Sequence, residues 1–232
     1  MTEGVIIVIG AGPGVSGSVA RRYAREGFDI GIVGIAEAEL RALERELSAK
    51  KADVQKACVD VTDTHAASEA IRAIGEHFGR VDVLHFNPSA FREKDPLELA
   101  VPELLADMAL GVGALLTAVQ AARPFMSDGA RITVTGSMAA DKPWHRAASL
   151  GVQKAGVRNL VRSIDASLAP VGVRAVSVTV NGALAPDGPF SPDLIAEALW
   201  SAARQDVSCW QPEIVYSGSS QQLEEPACST AS

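Results

Sequence analysis

The sequence predicts an α/β protein built on a doubly wound parallel sheet of about seven strands, with helices on both faces. Short runs of β-branched residues alternate with helical patterns along the whole chain, and a glycine-rich segment follows the first run. Strands alternating with helices through right-handed crossovers produce a parallel sheet that binds ligands at the carboxyl ends of its strands. No repeat and no linker divides the 232 residues, so we predict a single domain over residues 1–216.

The individual elements follow from hydrophobic periodicity. The first run, residues 5–9, is apolar at every position, which is typical of a strand covered on both faces. In EAELRALERELSA, three leucines spaced by three and four residues form one stripe among charges, which indicates an amphipathic helix. Further strands are predicted in DIGIV, VQKACV, VDVLHF, RITVT, VRAVSVTV and EIVY, and further helices at residues 15–27, near 64–78, 102–122 and 149–168, and after Ser191. Residues 217–232 are rich in Ser, Gln and Glu and are predicted to form a loose C-terminal tail.

Composition argues against several classes of partner. The net charge of −7 leaves no basic surface for a phosphate backbone, so nucleic acid is not an expected partner. The longest apolar run, MALGVGALLTAV, is shorter than the roughly 18 residues that a membrane span requires. The first residues carry an acidic side chain where a signal peptide needs positive charge. We therefore expect a cytoplasmic protein that binds no membrane.

The strongest functional signal is a glycine-rich turn. Gly10, Gly12 and Gly14 lie directly after the first strand and before the first helix. Glycine allows the backbone to approach a pyrophosphate whose charge is stabilised by the helix N-terminus. In this context a dinucleotide-binding turn is favoured over a tight turn that binds nothing.

This turn resembles that of the short-chain dehydrogenases/reductases, which reads T-G-x-x-x-G-x-G in a Rossmann-type fold. Gly10 and Gly14 match its first two glycines, whereas Ile9 replaces the threonine and Ser16 replaces the third glycine. The Ser16 hydroxyl could itself bond a phosphate oxygen. Further motifs of the family follow in the same order along the chain, so the resemblance covers about residues 4–216.

The resemblance implies further cofactor contacts. Asp60 and Val61, in CVDVTD, match the family's adenine-contacting pair, and Asn87, in LHFNPSAF, lies at its N-N-A-G motif. Gly182, in VTVNGAL, matches a P-G pair whose backbone meets the nicotinamide carboxamide. Asp60 could alternatively cap a loop and Gly182 could simply turn the chain, but the matches occur in the family's order.

The choice of cofactor depends on the end of the second strand, which holds Gly34 and Ile35. An acidic residue there would favour NAD through the ribose 2′-hydroxyl, and a nearby arginine would favour NADP. Neither is present. Because no carboxylate repels a 2′-phosphate at this position, we expect NADP, with NAD possible.

The resemblance also implies a catalytic group of four residues, of which two are retained. Ser137 matches the serine that holds the substrate oxygen, and Lys154 matches the lysine that binds the nicotinamide ribose. Leu150 occupies the position of the tyrosine that acts as general acid, and Gly111 occupies that of the asparagine. Loss of a general acid removes a rate factor of about 10² to 10⁴, so the ordinary mechanism cannot run through position 150.

His145, in DKPWHRAAS, is a candidate replacement because imidazole titrates in the useful range, although it could equally be an exposed loop histidine. The first hypothesis is an NAD(P)-dependent oxidoreductase of a small carbonyl or alcohol, with His145, Ser137 or an ordered water as proton donor. The alternatives are a cofactor-binding protein without turnover and a scaffold repurposed for elimination, isomerisation or cyclisation. The resemblance further implies a homodimer or homotetramer.

Overall fold

Seven parallel strands of the described residues form a single sheet, as the sequence predicted. This computed structural model describes residues 2–218, so the predicted tail lies, from residue 219 onward, outside the described residues. The strands are β1 (Gly4–Ile9), β2 (Phe28–Gly34), β3 (Val54–Cys58), β4 (Val83–Phe86), β5 (Arg131–Ser137), β6 (Arg174–Val180) and β7 (Glu213–Tyr216). They lie in the sheet in the order β3-β2-β1-β4-β5-β6-β7. The helices are α1 (Val15–Arg25), α2 (Glu37–Ser48), α3 (Thr64–Phe78), α4 (Val101–Met108), α5 (Ala114–Ala122), α6 (Ala148–Leu168) and α7 (Pro192–Ala203).

The strand order reverses at β1, which pairs with β2 on one side and with β4 on the other. Connections leave a doubly wound sheet in opposite directions at this point, and a crevice opens between them at the carboxyl ends of the strands. The glycine turn follows β1 directly and therefore lies at this crevice.

The sheet is buried on both faces, which explains the uninterrupted apolar run of β1. Ile7 and Ile9 point into a core formed with α3, α5 and α6. Ile6 and Val8 point into a second core formed with α1, α2 and α7. Successive side chains of a strand point to opposite faces, so a strand between two helical layers must be apolar throughout.

The helix predicted near residues 102–122 is divided. A π-helical turn at Ala109–Gly113 separates α4 from α5. Judged by length and composition alone, the continuous helical stretch Val101–Phe125 is long and apolar enough to cross a membrane. It is longer than MALGVGALLTAV, the apolar run recognised in the sequence. In the fold, Leu115, Ala118 and Ala122 of α5 are fully buried in the core beside α3.

Candidate cofactor and catalytic site

The glycine turn is tied to β2 and packed against the loop after β4. The N–H groups of Gly10 and Ala11 both donate to the carbonyl of Val33, each at 2.9 Å. Gly10 has φ +76°, and a Cβ on it would lie 2.8 Å from the Pro88 ring. Glycine is therefore required here by conformation and by space.

The start of α1 presents an open N-terminus. A Cβ on Gly14 would meet no atom of the described residues within 4 Å, and the first turn of α1 carries no acidic residue. The positive end of the helix dipole is therefore accessible to an anion. Ser16 is buried, and its Oγ accepts the Gly12 N–H at 3.1 Å, so this hydroxyl oxygen braces the turn. A phosphate contact by Ser16 stays a prediction.

Gly17 is a residue of the turn that the sequence analysis missed. A Cβ on Gly17 would lie 2.4 Å from the carbonyl oxygen of Gly12. The close approach of helix to turn is thus made at position 17. The signal was present in the sequence as a glycine directly after Ser16.

Two cavities flank the glycine turn. The first, of about 280 Å³, lies at the ends of β1, β2 and β3, and its lining includes Gly10, Gly34, Ile35, Asp60, Val61 and Leu110. The second, of about 470 Å³, lies between the N-termini of α1 and α7, and its lining includes Pro13, Ser18, Asp187 and Ser191. Room on both sides of an anion-binding turn fits an elongated ligand with a central pyrophosphate, as a dinucleotide is.

Asp60 borders the first cavity and also caps its own loop. Its Oδ1 accepts the N–H of Thr62 at 2.9 Å and the Thr62 hydroxyl at 2.7 Å. These bonds to the charged form lower the pKa of Asp60. The carboxylate is therefore fixed at the rim, while Val61 beside it is buried.

Asn87 and Lys154 meet through Thr135. The Asn87 N–H donates to the last carbonyl of β1, that of Ile9, at 3.1 Å, and the Asn87 side-chain oxygen accepts the Thr135 hydroxyl at 2.8 Å. The Thr135 carbonyl accepts the Lys154 ammonium at 2.8 Å. The structure thus brings these two predicted residues together at the ends of β4 and β5.

Lys154 is unusual in being buried without an anion. Its side chain is 6 % exposed, and no carboxylate pairs with it among residues 2–218. Burial disfavours the ammonium and lowers the pKa of Lys154 to about 8. Ser137 ends the same strand as Thr135, and its Oγ accepts the Ala139 N–H at 3.2 Å.

The remaining catalytic candidates differ in their surroundings. Leu150 lies one turn before Lys154 in α6 and is half-buried, so the position predicted for the family's tyrosine presents only an aliphatic side chain. His145 is exposed and lines a surface depression with Glu93, Asp95, Glu98 and Arg146. Neither Ser137 nor Lys154 lines that depression, and a role for His145 stays a prediction.

His85 in β4 is a second residue that the sequence analysis missed. It is fully buried, with Nδ1 3.0 Å from the Thr133 hydroxyl, and Nε2 has no partner among the described residues. Burial, together with the charge of Lys154, lowers the pKa of His85 to about 3. The available signal was a histidine inside an otherwise apolar strand.

Gly182 follows β6 and lies under an aromatic ring. A Cβ on Gly182 would lie 2.2 Å from the ring of Phe190, which packs edge-on against Tyr216 at 5.9 Å between centroids. The Tyr216 hydroxyl donates to the Pro189 carbonyl at 2.7 Å. The loop after β6 is therefore fastened over Gly182 at its far end.

A parallel sheet in this order, with a glycine turn and open helix N-terminus at its reversal point, defines a dinucleotide-binding domain of the Rossmann type. The family model "short chain dehydrogenase" matches residues 4–186. The protein belongs to the short-chain dehydrogenase family, whose members are NAD(P)-binding oxidoreductases.

Similar proteins agree with this assignment. The L-2,3-butanediol dehydrogenase of Corynebacterium glutamicum is 28 % identical over 210 residues, which cover 88 % of this chain and 76 % of that protein. Sulfoacetaldehyde reductase 2 of Chromohalobacter salexigens is 28 % identical over 75 % of this chain and 70 % of that protein. A short chain dehydrogenase from Mycobacterium smegmatis superposes with a TM-score of 0.84 at 26 % identity, over 95 % of this chain and 93 % of that one. One from Burkholderia cenocepacia, solved in complex with NADP, gives a TM-score of 0.85 at 22 % identity, over 92 % and 96 %.

Proposed function

We propose that the protein is an NAD(P)-dependent oxidoreductase that interconverts a small carbonyl compound and its alcohol, with Lys154 delivering the proton. The observation that supports this proposal is a buried ammonium that pairs with no carboxylate of the described residues and is held by the Thr135 carbonyl, one helical turn from Leu150. Its pKa of about 8 is close to the operating pH, where a general acid is most effective. Lys154 thus replaces the missing phenol.

The residues of the chain would have the following roles in binding and catalysis. The glycine turn and the open end of α1 would bind the pyrophosphate, and Asp60 and Val61 would border the adenine. Ser137 would orient the substrate oxygen, and Lys154 Nζ would give that oxygen its proton. When bound, the nicotinamide supplies or accepts the hydride.

Two relatives support the substrate class. One of them is named as a dehydrogenase of 2,3-butanediol and the other as a reductase of sulfoacetaldehyde. Both substrates are small molecules with an alcohol or an aldehyde group. A small carbonyl or alcohol is therefore the substrate class we propose here, without a particular compound.

The test is turnover by matched lysine variants. NADH and NADPH oxidation should be followed with a panel of small aldehydes and ketones for the native protein, Lys154→Ala and Lys142→Ala. Lys142 is an exposed lysine of the loop after β5 and serves as the control. We expect Lys154→Ala to lose about 10² to 10⁴ in rate and Lys142→Ala to retain the native rate. Equal rates for Lys154→Ala and the native protein would rule out Lys154 as the acid.

A cofactor-binding protein without turnover is the second candidate, favoured by the aliphatic Leu150 and the absence of a side chain at Gly111. Nucleotide binding without oxidation of any panel substrate, together with activity that appears only in Leu150→Tyr, would support it. A product that forms while the cofactor remains unconsumed would instead support a repurposed, non-redox reaction.

A homodimer or homotetramer is proposed as the assembly. Leu116 on α5 and Val152 on α6 are 44 % and 47 % exposed, and such an assembly could cover these apolar side chains. Light scattering after size-exclusion chromatography tests the proposal. A monomer at micromolar concentration would contradict it.

A further inference from the structure

Gln153 precedes Lys154 in α6, and its side-chain amide is fully buried. Its Oε1 accepts the Ala90 N–H at 2.9 Å, and its Nε2 donates to the Ala90 carbonyl at 3.1 Å and to the Ser149 carbonyl at 3.2 Å. Ala90 belongs to the loop after β4, which begins at Asn87. A side-chain amide that bonds both the N–H and the carbonyl of one residue holds that residue by the same two hydrogen bonds that a neighbouring β-strand would form.

Gly111 opens the space that this amide fills. Gly111 is buried in the π-helical turn, and a Cβ on it would lie 2.4 Å from Gln153 Oε1 and 2.9 Å from Gln153 Cγ. A side chain at position 111 and the amide of Gln153 therefore exclude each other. Gly113, in the same turn, has room, because its Cβ would meet nothing closer than the Met108 carbonyl oxygen at 3.9 Å.

We infer that Gln153 is a positioning residue that occupies the space of the side chain missing at Gly111 and clamps the loop carrying Asn87 onto α6. The clamp reaches the site through Asn87, whose amide oxygen accepts the hydroxyl of Thr135. The carbonyl of Thr135 in turn holds the Lys154 ammonium. The consequence for the cofactor rests on the proposed function, whereas the clamp itself does not.

Further contacts fasten the same loop. Most of them join exposed or partly exposed side chains: Phe91 stacks on Trp144 at 6.4 Å between centroids, Glu93 pairs with Arg146, and Lys94 pairs with Glu103. Surface pairs of this kind contribute little individually. Arg92, which forms two bonds to the buried carboxylate of Asp107, and the Lys94 carbonyl, which accepts the Ala148 N–H at 3.3 Å, hold the later part of the loop. Among the described residues only Gln153 bonds Ala90 itself, so loss of its amide should release the loop at Ala90.

Hydrogen exchange at the Ala90 amide tests the clamp. Gln153→Met keeps most of the volume and removes all three hydrogen bonds, so exchange should accelerate roughly tenfold or more at an unchanged fold. Gly111→Ala should accelerate it as well, since its Cβ displaces the Gln153 amide. Gly113→Ala is the matched control and should leave exchange at Ala90 as in the native protein. If the Ala90 amide of Gln153→Met exchanged at the same rate as in the native protein, the inference would be overturned.

The effects of substitutions at Gly111 and Gln153 should also be coupled. In a Gln153→Ala background the amide is gone, so adding Gly111→Ala should change Ala90 exchange and melting temperature little further. Additive effects of the two substitutions would show that they act independently and would contradict the shared space.

Nucleotide affinity separates positioning from mere packing. In Gln153→Met we expect the dissociation constant of the bound nucleotide to rise at a temperature well below its melting transition, where the variant remains folded. Faster exchange at Ala90 with an unchanged dissociation constant would overturn the positioning role. A native protein that binds neither NADH nor NADPH would overturn the proposed function instead, and the exchange experiment would still decide the clamp.

Discussion

At the scale of single residues, the candidate site contains two buried bases that pair with no carboxylate among residues 2–218. Lys154 donates to the Thr135 carbonyl, and His85 contacts the Thr133 hydroxyl two residues earlier on the same strand. Burial lowers the pKa of both, to about 8 and about 3 respectively. Their charges also repel each other, which favours the neutral imidazole beside the charged lysine.

The Lys154 proposal predicts a particular pH profile. A general acid must be protonated, so carbonyl reduction should be maximal below about pH 8 and should decline above it. Alcohol oxidation needs the neutral amine and should rise towards pH 8. The profile of kcat in both directions is the measurement. Lys154→Arg remains charged throughout, so any remaining turnover should lack this inflection; an inflection that persists would assign it to another group.

His85 predicts a loss of stability in mild acid. The unfolded imidazole takes up a proton below its ordinary pKa of about 6.5, whereas the folded one resists protonation down to about 3. The unfolded state therefore binds more protons in this window. The free energy of unfolding should fall by about 1.4 kcal/mol for each pH unit below 6.5.

Urea unfolding of the native protein, His85→Val and His145→Ala between pH 7 and pH 4.5 measures this contribution. The His85→Val variant should lose that part of the slope, while His145→Ala, an exposed histidine, should keep it. Parallel curves for the native protein and His85→Val would disprove the assignment.

At the scale of elements, the strand–turn–helix unit β1–α1 combines two different requirements for glycine. Gly17 allows α1 to approach the turn, since a Cβ there would lie 2.4 Å from the Gly12 carbonyl oxygen. A Cβ on Gly14 would meet no atom of the described residues within 4 Å, so Gly14 leaves open space above the helix N-terminus. The first requirement concerns packing, and the second is one that the proposed pyrophosphate site would impose.

Alanine substitutions separate the two requirements. Gly17→Ala forces the helix from the turn and should cost about 1–3 kcal/mol of stability, with nucleotide binding lost as well. Gly14→Ala should leave the melting temperature near native and weaken nucleotide binding alone. Thermal melts with NADH and NADPH titrations test both. A Gly14→Ala variant that binds normally would place the pyrophosphate elsewhere.

The end of β2 and the start of α2 bear on cofactor choice. Ile35 is 72 % exposed at the first cavity, and no lysine or arginine lines that cavity among the described residues. A Cβ on Gly12 would lie 3.2 Å from the Glu39 carboxylate, so this acidic group lies near the glycine turn. The nearby Lys56 amino group is already close to Glu37 and Glu44, at 3.8 and 3.3 Å. These carboxylates would disfavour a 2′-phosphate that reached them, and the expectation of NADP, with NAD possible, stays a prediction.

We expect a 2′-phosphate near these carboxylates to bind more weakly, so the relative affinity for NADH and NADPH tests the sequence-based expectation of NADP. Fluorescence titration with each nucleotide is the measurement. Ile35→Arg should improve NADPH affinity selectively, and Ile35→Gln provides the uncharged control. Tighter NADPH binding by the native protein would confirm the sequence-based expectation, and tighter NADH binding would contradict it.

At the scale of the whole molecule, the reversal of strand order at β1 brings distant segments to one crevice. The glycine turn after β1, the loop after β4 and the end of β5 are far apart in the chain, yet Gly10 approaches Pro88 and Asn87 contacts Thr135. Parallel strands end at the same edge of the sheet, so residues that follow them become neighbours. For this reason the separate matches to the family's motifs, each of low specificity by itself, together indicated one site when they occurred in the family's order.

The sequence by itself determined the alternation of strands and helices and the glycine turn, and it predicts that Leu150 stands in place of the family's tyrosine. These depend on periodicity and on single residues within short windows. Only the tertiary structure decided that Gln153 fills the space left by Gly111, that His85 Nε2 has no partner in the described part of the chain, and that Phe190 covers Gly182. Such contacts join positions that no local pattern relates, because close packing is settled only when separate elements meet across the core.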